Sequence, residues 1–142
     1  MKRILQMGIV LLVIVIFSAN AFAAVKPTET AELNYICVKE YGTKFTIDSD
    51  GTATMRGILL PKTSTAVDEV KVTFTIDKLS GTNVYNKTWN ASWNSVFEEY
   101  KAEKNYKLPS KGTYILSTKF KCYKNGKLVE TISGGNISKS YR

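Results

Sequence analysis

The most regular pattern in the chain is an alternation of side chains between Gly112 and Lys124. One side of this stretch carries Tyr114, Leu116, Thr118, Phe120 and Cys122, and the other carries Ile115, Ser117, Lys119, Lys121 and Tyr123. A two-residue repeat is typical of a β-strand with one buried face. Asn125-Gly126 follows, and this pair favours a two-residue type I′ turn because both positions need positive φ. The segment from Gly112 to Ser133 therefore predicts a β-hairpin.

The turn also predicts which residues face each other across the hairpin. The predicted pairs are Lys124 with Lys127, Tyr123 with Leu128, Cys122 with Val129, Lys121 with Glu130, and Phe120 with Thr131. The core side then holds Leu116, Phe120, Cys122 and Val129, and the outer side holds Lys119, Lys121, Tyr123, Leu128, Glu130 and Ile132. Apolar side chains on that outer side need a partner, unless Tyr123 and Leu128 shield each other as a cross-strand pair.

The rest of the chain is predicted to form further short strands separated by turns. Candidate strands cover residues 35–39, 45–47, 52–60, 70–77, 84–94, 106–108 and 137–141, with a turn at 48–51, a loop at 61–68 and a break at 134–136. About seven or eight short strands joined by turns are typical of a sandwich. The predicted fold class is therefore all-β, an antiparallel two-sheet sandwich.

Two tryptophans lie in one candidate strand, Val84–Asn94. Strand spacing puts Tyr85, Trp89 and Trp93 on the same side, and the β-branched, Asn and Ser neighbours favour a strand over a helix. These aromatic side chains either pack in the core or form an aromatic platform for a sugar or a partner protein.

The segment Ser95–Lys104 has two interpretations. Ser95 and Glu98 have the spacing of a helix capping box, and Glu, Ala and Lys favour a helical turn or two. The same residues also suit an irregular loop over one end of the sheets.

The amino-terminal segment has the pattern of a secretory signal peptide. Lys2 and Arg3 precede an apolar run, and Ala21-Phe22-Ala23 fits the small-x-small cleavage rule, so we expect residues 1–23 to be removed and the exported protein to begin at Ala24. Residues 24–34 are expected to be a flexible leader, and residues 35–142 the sandwich domain. The predicted location is extracellular or cell-wall associated, with no integral membrane span after signal removal.

Export to an oxidising exterior bears on the two cysteines. Cys122 points inward on the hairpin register, which predicts a Cys37–Cys122 disulfide. The alternative is a pair of buried free thiols.

Composition limits the chemistry that is available. The chain has no histidine, which excludes Ser-His and Cys-His nucleophile pairs and His-ligated metals. Asp48-Ser49-Asp50-Gly51 resembles the start of a calcium loop, but Leu59 stands where the twelfth-position glutamate is required, so a hairpin turn is predicted instead. Glu98, Glu99 and Glu103 are interpreted as a solvated face. We therefore expect no catalytic site, metal or cofactor.

The carboxyl-terminal half resembles a known class of domains. Gly112-Thr113-Tyr114, an alternating strand and Tyr123-Lys124-Asn125-Gly126-Lys127 resemble the last two strands of immunoglobulin-like and fibronectin-III-like sandwiches. The region 71–141, with Trp89 and Trp93 in its middle strand, is similar to small secreted proteins of Gram-positive bacteria. That resemblance implies the fold and export, and the family has no agreed activity.

Charge suggests the class of ligand. The net charge is +8, and it falls to +6 when Lys2 and Arg3 leave with the signal peptide. A basic chain suits anionic wall polymers, acidic polysaccharides or membrane surfaces, although a soluble surface with scattered lysines has the same composition.

The predicted function is a non-catalytic binding module, and the alternative is a structural or assembly component of the cell surface. Its partner is predicted to be anionic wall or polysaccharide material or another surface protein, and not nucleic acid. The candidate binding residues are Trp89, Trp93, Lys119, Lys121, Tyr123, Lys124, Lys127 and Leu128.

Overall fold

A computed structural model describes residues 35–142, and the predictions made for residues 1–34 fall outside this range. The strands are β1 (Val38–Ile47), β2 (Thr52–Pro61), β3 (Glu69–Lys78), β4 (Asn83–Asn90), β5 (Ser92–Asn94), β6 (Glu99–Lys107), β7 (Gly112–Lys124) and β8 (Lys127–Tyr141). Within residues 35–142, no helix is long and apolar enough to cross a membrane.

The strands form two antiparallel sheets of four, which confirms the predicted antiparallel two-sheet architecture. The first sheet has the order β1-β2-β6-β5 and the second has the order β4-β3-β7-β8. Immunoglobulin-like domains place strands A, B, E and D in one sheet and C, F and G in the other, and some add C′ next to C. The eight strands follow this arrangement in chain order, so the predicted sandwich class is confirmed.

Tyr114 forms a second feature of such sandwiches, the tyrosine corner. This side chain is fully buried at the start of β7, and its hydroxyl donates a hydrogen bond of 2.6 Å to the carbonyl oxygen of Ser110. In immunoglobulin-like domains a tyrosine near the start of strand F bonds backwards in the same way. The position two residues further on, where antibody domains carry a cysteine, is Leu116 here.

The core is built from the inward positions of both sheets. In β3 the buried residues are Val70, Val72, Phe74 and Ile76, and in β7 they are Tyr114, Leu116, Thr118, Phe120 and Cys122. Both sets match the predicted alternation. Met55 and Leu59 of β2 contribute from the opposite sheet, so strands from both sheets bury one face each.

The β7–β8 hairpin has the predicted turn but not the whole predicted register. Asn125 and Gly126 have φ values of 50° and 72°, and the pairs Lys124–Lys127 and Tyr123–Leu128 form as expected. The register then shifts by one residue, so that Cys122 pairs with Glu130, Lys121 with Thr131, and Phe120 with Ile132.

Val129 is the extra residue of this β-bulge, and it changes which side chains of β8 are buried. Val129 is 38% exposed and Ile132 only 1%, whereas the prediction placed Val129 in the core and Ile132 outside. Strict alternation would have set Thr131 opposite Phe120. A bulge reverses the facing of the residues that follow it, and here it buries an isoleucine where a threonine would have stood. A second register shift lies further along β8, between the partners of Lys119 and Ser117.

The prediction of a single strand from Val84 to Asn94 is wrong. Trp89 lies on β4 in the second sheet, and Trp93 lies on β5 in the first sheet. The chain changes sheets at Ala91, whose amide donates a hydrogen bond to the carbonyl oxygen of Val70. The two tryptophans therefore do not share a strand face.

Two further segment boundaries differ from the predictions. Residues 95–98 form a turn and Glu99–Lys107 is one strand, so the helical interpretation of Ser95–Lys104 is wrong. The chain of β6 hydrogen-bonds to β2 along nearly its whole length, which outweighs the weak helix preference of glutamate, alanine and lysine. Likewise, residues 38–47 make one continuous strand where two short ones were expected.

The two cysteines are both buried and both free, so the predicted disulfide is wrong and the alternative of two buried thiols is the arrangement found. The Cys37 thiol donates a 2.8 Å hydrogen bond to Oε2 of Glu130, and the Cys37 amide donates to the same oxygen. Burial, together with this carboxylate, raises the pKa of Cys37 to about 12. Burial likewise raises the pKa of Cys122 to about 11. Neither sulfur is a reactive thiolate near neutral pH.

The free thiols give a direct prediction. We expect denatured, unreduced protein to react with two equivalents of a thiol reagent per chain, because both cysteines are unbridged. A sample reduced beforehand serves as the control and should give the same count. If the unreduced sample gives no thiol and the reduced one gives two, the cysteines are bridged.

Candidate functional site

The outer face of the second sheet carries a group of lysines, which we call the basic face: Lys71, Lys119 and Lys121 with Tyr123 and Leu128. Lys71 lies directly across from Lys121, and Thr73 lies across from Lys119. Lys119 and Lys121 are successive outward residues of β7, so both lie near Lys71 on the outer face. The partner of Lys71 is Glu69 of its own strand, with an Nζ–Oε1 distance of 3.4 Å.

Tyr123 and Leu128 form the apolar part of the basic face. They are the cross-strand pair that the turn predicted. The Nζ atom of Lys71 lies 5.0 Å from the centre of the Tyr123 ring, within the range of a cation–π contact. Leu128 is still 52% exposed, so Tyr123 does not cover it.

The hairpin tip adds two more lysines at one end of the basic face. Lys124 and Lys127 pair directly across from each other. Asp68 approaches from the β2–β3 loop: its Oδ2 atom accepts a 2.8 Å hydrogen bond from the amide of Asn125 and lies 3.9 Å from Nζ of Lys124. The loop therefore holds the tip in place while compensating only weakly for its charge.

Two residues that the sequence placed on this face are elsewhere. The bulge at Val129 turns Ile132 into the core, and it turns Glu130 toward the amino-terminal end of the domain. The Glu130 carboxylate there accepts hydrogen bonds from Ile36 and Cys37. Burial opposes ionisation of Glu130, but these hydrogen bonds hold its pKa below the usual range. Because Glu130 does not lie on the basic face, this face is more positive than the sequence predicted.

Sequence reasoning missed Lys71. Its strand was correctly predicted, and its outward position followed from the alternation. Its pairing with β7 was not predictable, because β3 and β7 are separated by more than thirty residues and three other strands. Only a pairing signal between distant strands could have found it.

Beyond the lysines, hydroxyl and amide side chains line part of the outer face of this sheet. A shallow depression of about 250 Å³ there is lined by Thr73, Thr75, Asn86, Ser117, Lys119 and Ser133, and also touches the buried Thr118. Thr73 also makes a 2.7 Å hydrogen bond between its Oγ1 and Oγ1 of Thr88 on the neighbouring strand β4. This strip continues the basic face along the strands with groups that both donate and accept hydrogen bonds.

Trp89 has a structural role. Its indole Nε1 donates a 3.0 Å hydrogen bond to the Tyr85 hydroxyl, and Nζ of Lys104 lies 4.3 Å from the centre of the ring. The ring packs partly buried against the core. The sequence left two interpretations open for Trp89, and the structure shows the one in which its ring packs against the core.

Trp93 is placed differently, at the edge of the first sheet. It is 39% exposed, and its ring packs against Tyr100 with centroids 4.9 Å apart. A depression of about 460 Å³ on one side is lined by Ser92, Trp93, Asn94, Ser95, Lys101 and Glu103. A second, of about 400 Å³, is lined by Ser64, Thr65, Val67, Asp68, Trp93, Tyr100 and Lys124.

Lys124 connects the two candidate regions. It belongs to the hairpin tip beside the basic face, and it also lines the second depression next to Trp93. The β2–β3 loop, the β5–β6 turn and the β7–β8 turn therefore meet at one end of the sandwich. In antibody variable domains, loops at one end of the sandwich form the antigen-binding site.

No protein-family model matches this chain, and no curated protein matches it.

Proposed function

We propose that this protein is an exported, non-catalytic binding module that holds an anionic polymer at the cell surface through its basic face. The observation that carries the proposal is two cross-strand pairs of lysines, Lys71 opposite Lys121 and Lys124 opposite Lys127.

Like charges directly across a sheet are unfavourable. Such a pair destabilises the sheet, and within residues 35–142 the carboxylates that form ion pairs with these lysines are Glu69 and Asp68, at 3.4 and 3.9 Å. An anionic ligand would turn this repulsion into attraction. Such long-range attraction concentrates an anionic ligand near the surface before any close contact forms.

The apolar and hydroxyl groups supply the rest of the contact. Tyr123 and exposed Leu128 offer apolar surface beside the lysines, and the strip of threonine, serine and asparagine side chains offers hydrogen bonds along the strands. Exposed charges are screened over about 8 Å at physiological ionic strength. The association should therefore weaken steeply as salt rises.

The test is binding to purified cell wall and to polygalacturonate across a salt series. We expect Lys119→Glu/Lys121→Glu to bind about tenfold more weakly at low salt, equivalent to about 1.4 kcal/mol. The matched control is Lys39→Glu/Lys44→Glu, which makes the same change of net charge at exposed positions of β1 in the other sheet. If both variants lose the same amount of binding affinity, the effect comes from net charge and not from the basic face. If the native protein does not bind at low salt, the proposal is contradicted.

A structural or assembly role is the second candidate, and one observation favours it. Val96 and Phe97, at the tip of the β5–β6 turn, are 81% and 67% exposed, and adjacent exposed apolar residues often mark a protein contact. Sedimentation across a concentration series distinguishes the two candidates. An assembly component grows in size with concentration, whereas a simple binding module stays monomeric.

A further inference from the structure

We infer that Trp93 is a stacking subsite for a pyranose ring, which makes the ligand of the proposed function an anionic polysaccharide. The inference rests on the proposed function for the charge of the ligand. The subsite is argued separately, from Trp93 and its surroundings.

The first step is the exposure of the indole. A tryptophan with 39% exposure at a sheet edge leaves apolar surface open to solvent between two depressions. A pyranose ring has an apolar face of C–H groups and a rim of hydroxyls. Aromatic side chains with one apolar surface and polar neighbours suit such amphipathic rings.

The second step is the rigidity of the indole. Tyr100 packs against it at 4.9 Å and is itself held by a hydrogen bond from its hydroxyl to the carbonyl oxygen of Val67, at 3.2 Å. Next to Trp93 in the chain, Oδ1 of Asn94 accepts hydrogen bonds from the amides of Val96 and Phe97, which fixes the turn that follows β5. Because the platform is already ordered, binding a ring to it costs little conformational entropy.

The third step is the chemistry of the surrounding side chains. Ser92, Ser95 and Lys101 line the first depression together with Glu103. A hydrogen bond from Arg56 holds the pKa of Glu103 below its usual range, so this group is a carboxylate at neutral pH and accepts hydrogen bonds from hydroxyls. Hydroxyl, amide, carboxylate and ammonium groups around an aromatic ring match the rim of a sugar.

The fourth step is continuity with the basic face. Lys124 lines the depression beside Trp93 and stands at the hairpin tip next to Lys127. A chain with a ring on Trp93 thus meets an ammonium group at its acidic substituent and can continue toward the lysines. A polyol-phosphate polymer has the charge but lacks a flat ring, so it would use the lysines and not Trp93.

The test uses three probes: a neutral N-acetylglucosamine hexasaccharide, polygalacturonate and poly(glycerol phosphate). We expect polygalacturonate to change the tryptophan fluorescence of the native protein and to bind about tenfold more weakly to Trp93→Ala. We expect weak binding of the neutral hexasaccharide, lost in Trp93→Ala and unchanged in Lys119→Glu/Lys121→Glu. Poly(glycerol phosphate) should bind the native protein and Trp93→Ala alike.

The control variant is Phe97→Ala, which removes an exposed aromatic residue that lines neither depression; it should bind all three probes as the native protein does. Unchanged thermal melting establishes that Trp93→Ala is folded. If Trp93→Ala binds the polysaccharides as tightly as the native protein, the subsite is absent while the basic face still stands. If the hexasaccharide binds through Trp93 but no polyanion binds at low salt, the subsite stands and the proposed function fails.

Discussion

Replacing Phe120 with alanine is expected to lower the free energy of unfolding by about 3–5 kcal/mol. Phe120 is fully buried in β7, and its ring fills the space left by two glycines. A Cβ atom added to Gly57 would come 3.1 Å from the ring, and one added to Gly134 would also come within 3.1 Å. Since those neighbours have no side chains to move into the hole, the cavity should persist. Urea unfolding monitored by circular dichroism measures the change.

Phe97→Ala is the matched control for this prediction. It removes the same side chain from a position that is 67% exposed, where we expect a change below about 0.5 kcal/mol. A small effect at Phe120, or similar effects at both positions, would contradict the packing described for the core.

Replacing Ile132 with alanine is expected to cost about 2–5 kcal/mol, because the bulge in β8 buries it opposite Phe120. The same bulge leaves Val129 on the surface, so Val129→Ala should cost less than about 1 kcal/mol. The two variants together test the register of the hairpin. Their changes in stability are measured from denaturant midpoints, provided that the m-value is unchanged.

A regular two-residue hairpin without the bulge makes the opposite prediction. It buries Val129 and exposes Ile132, so Val129→Ala would then be the more destabilising change. That order of stabilities would show that the bulge does not form in solution.

Much of the fold was predictable because it depends on short-range chemistry. The two-residue alternation in β3 and β7 assigned their buried faces correctly, since side chains in a strand point to opposite faces. Asn125-Gly126 predicted the turn because its backbone must take positive φ at both positions. Tyr123 opposite Leu128 and Lys124 opposite Lys127 followed from that turn alone.

The candidate site was predicted only in part. Lys119, Lys121, Tyr123 and Leu128 lie together on the outer face as expected. Ile132 and Glu130 were assigned to that face and lie elsewhere. Trp89 and Trp93 were expected on one strand face, whereas only Trp93 lies at the candidate site.

The differences have one physical origin, which is competition between distant parts of the chain. The bulge at Val129 is favoured because it buries Ile132 and brings Glu130 to Cys37, which is 93 residues away in the sequence. The change of sheet at Ala91 depends on β3 and β6, which bind the two halves of the tryptophan segment separately. Local pattern thus determines the strands, their faces and the tight turn. Long-range pairing and packing determine the bulge, the sheet to which each tryptophan belongs and the meeting of Lys71 with Lys121, because only contacts made after folding distinguish those alternatives.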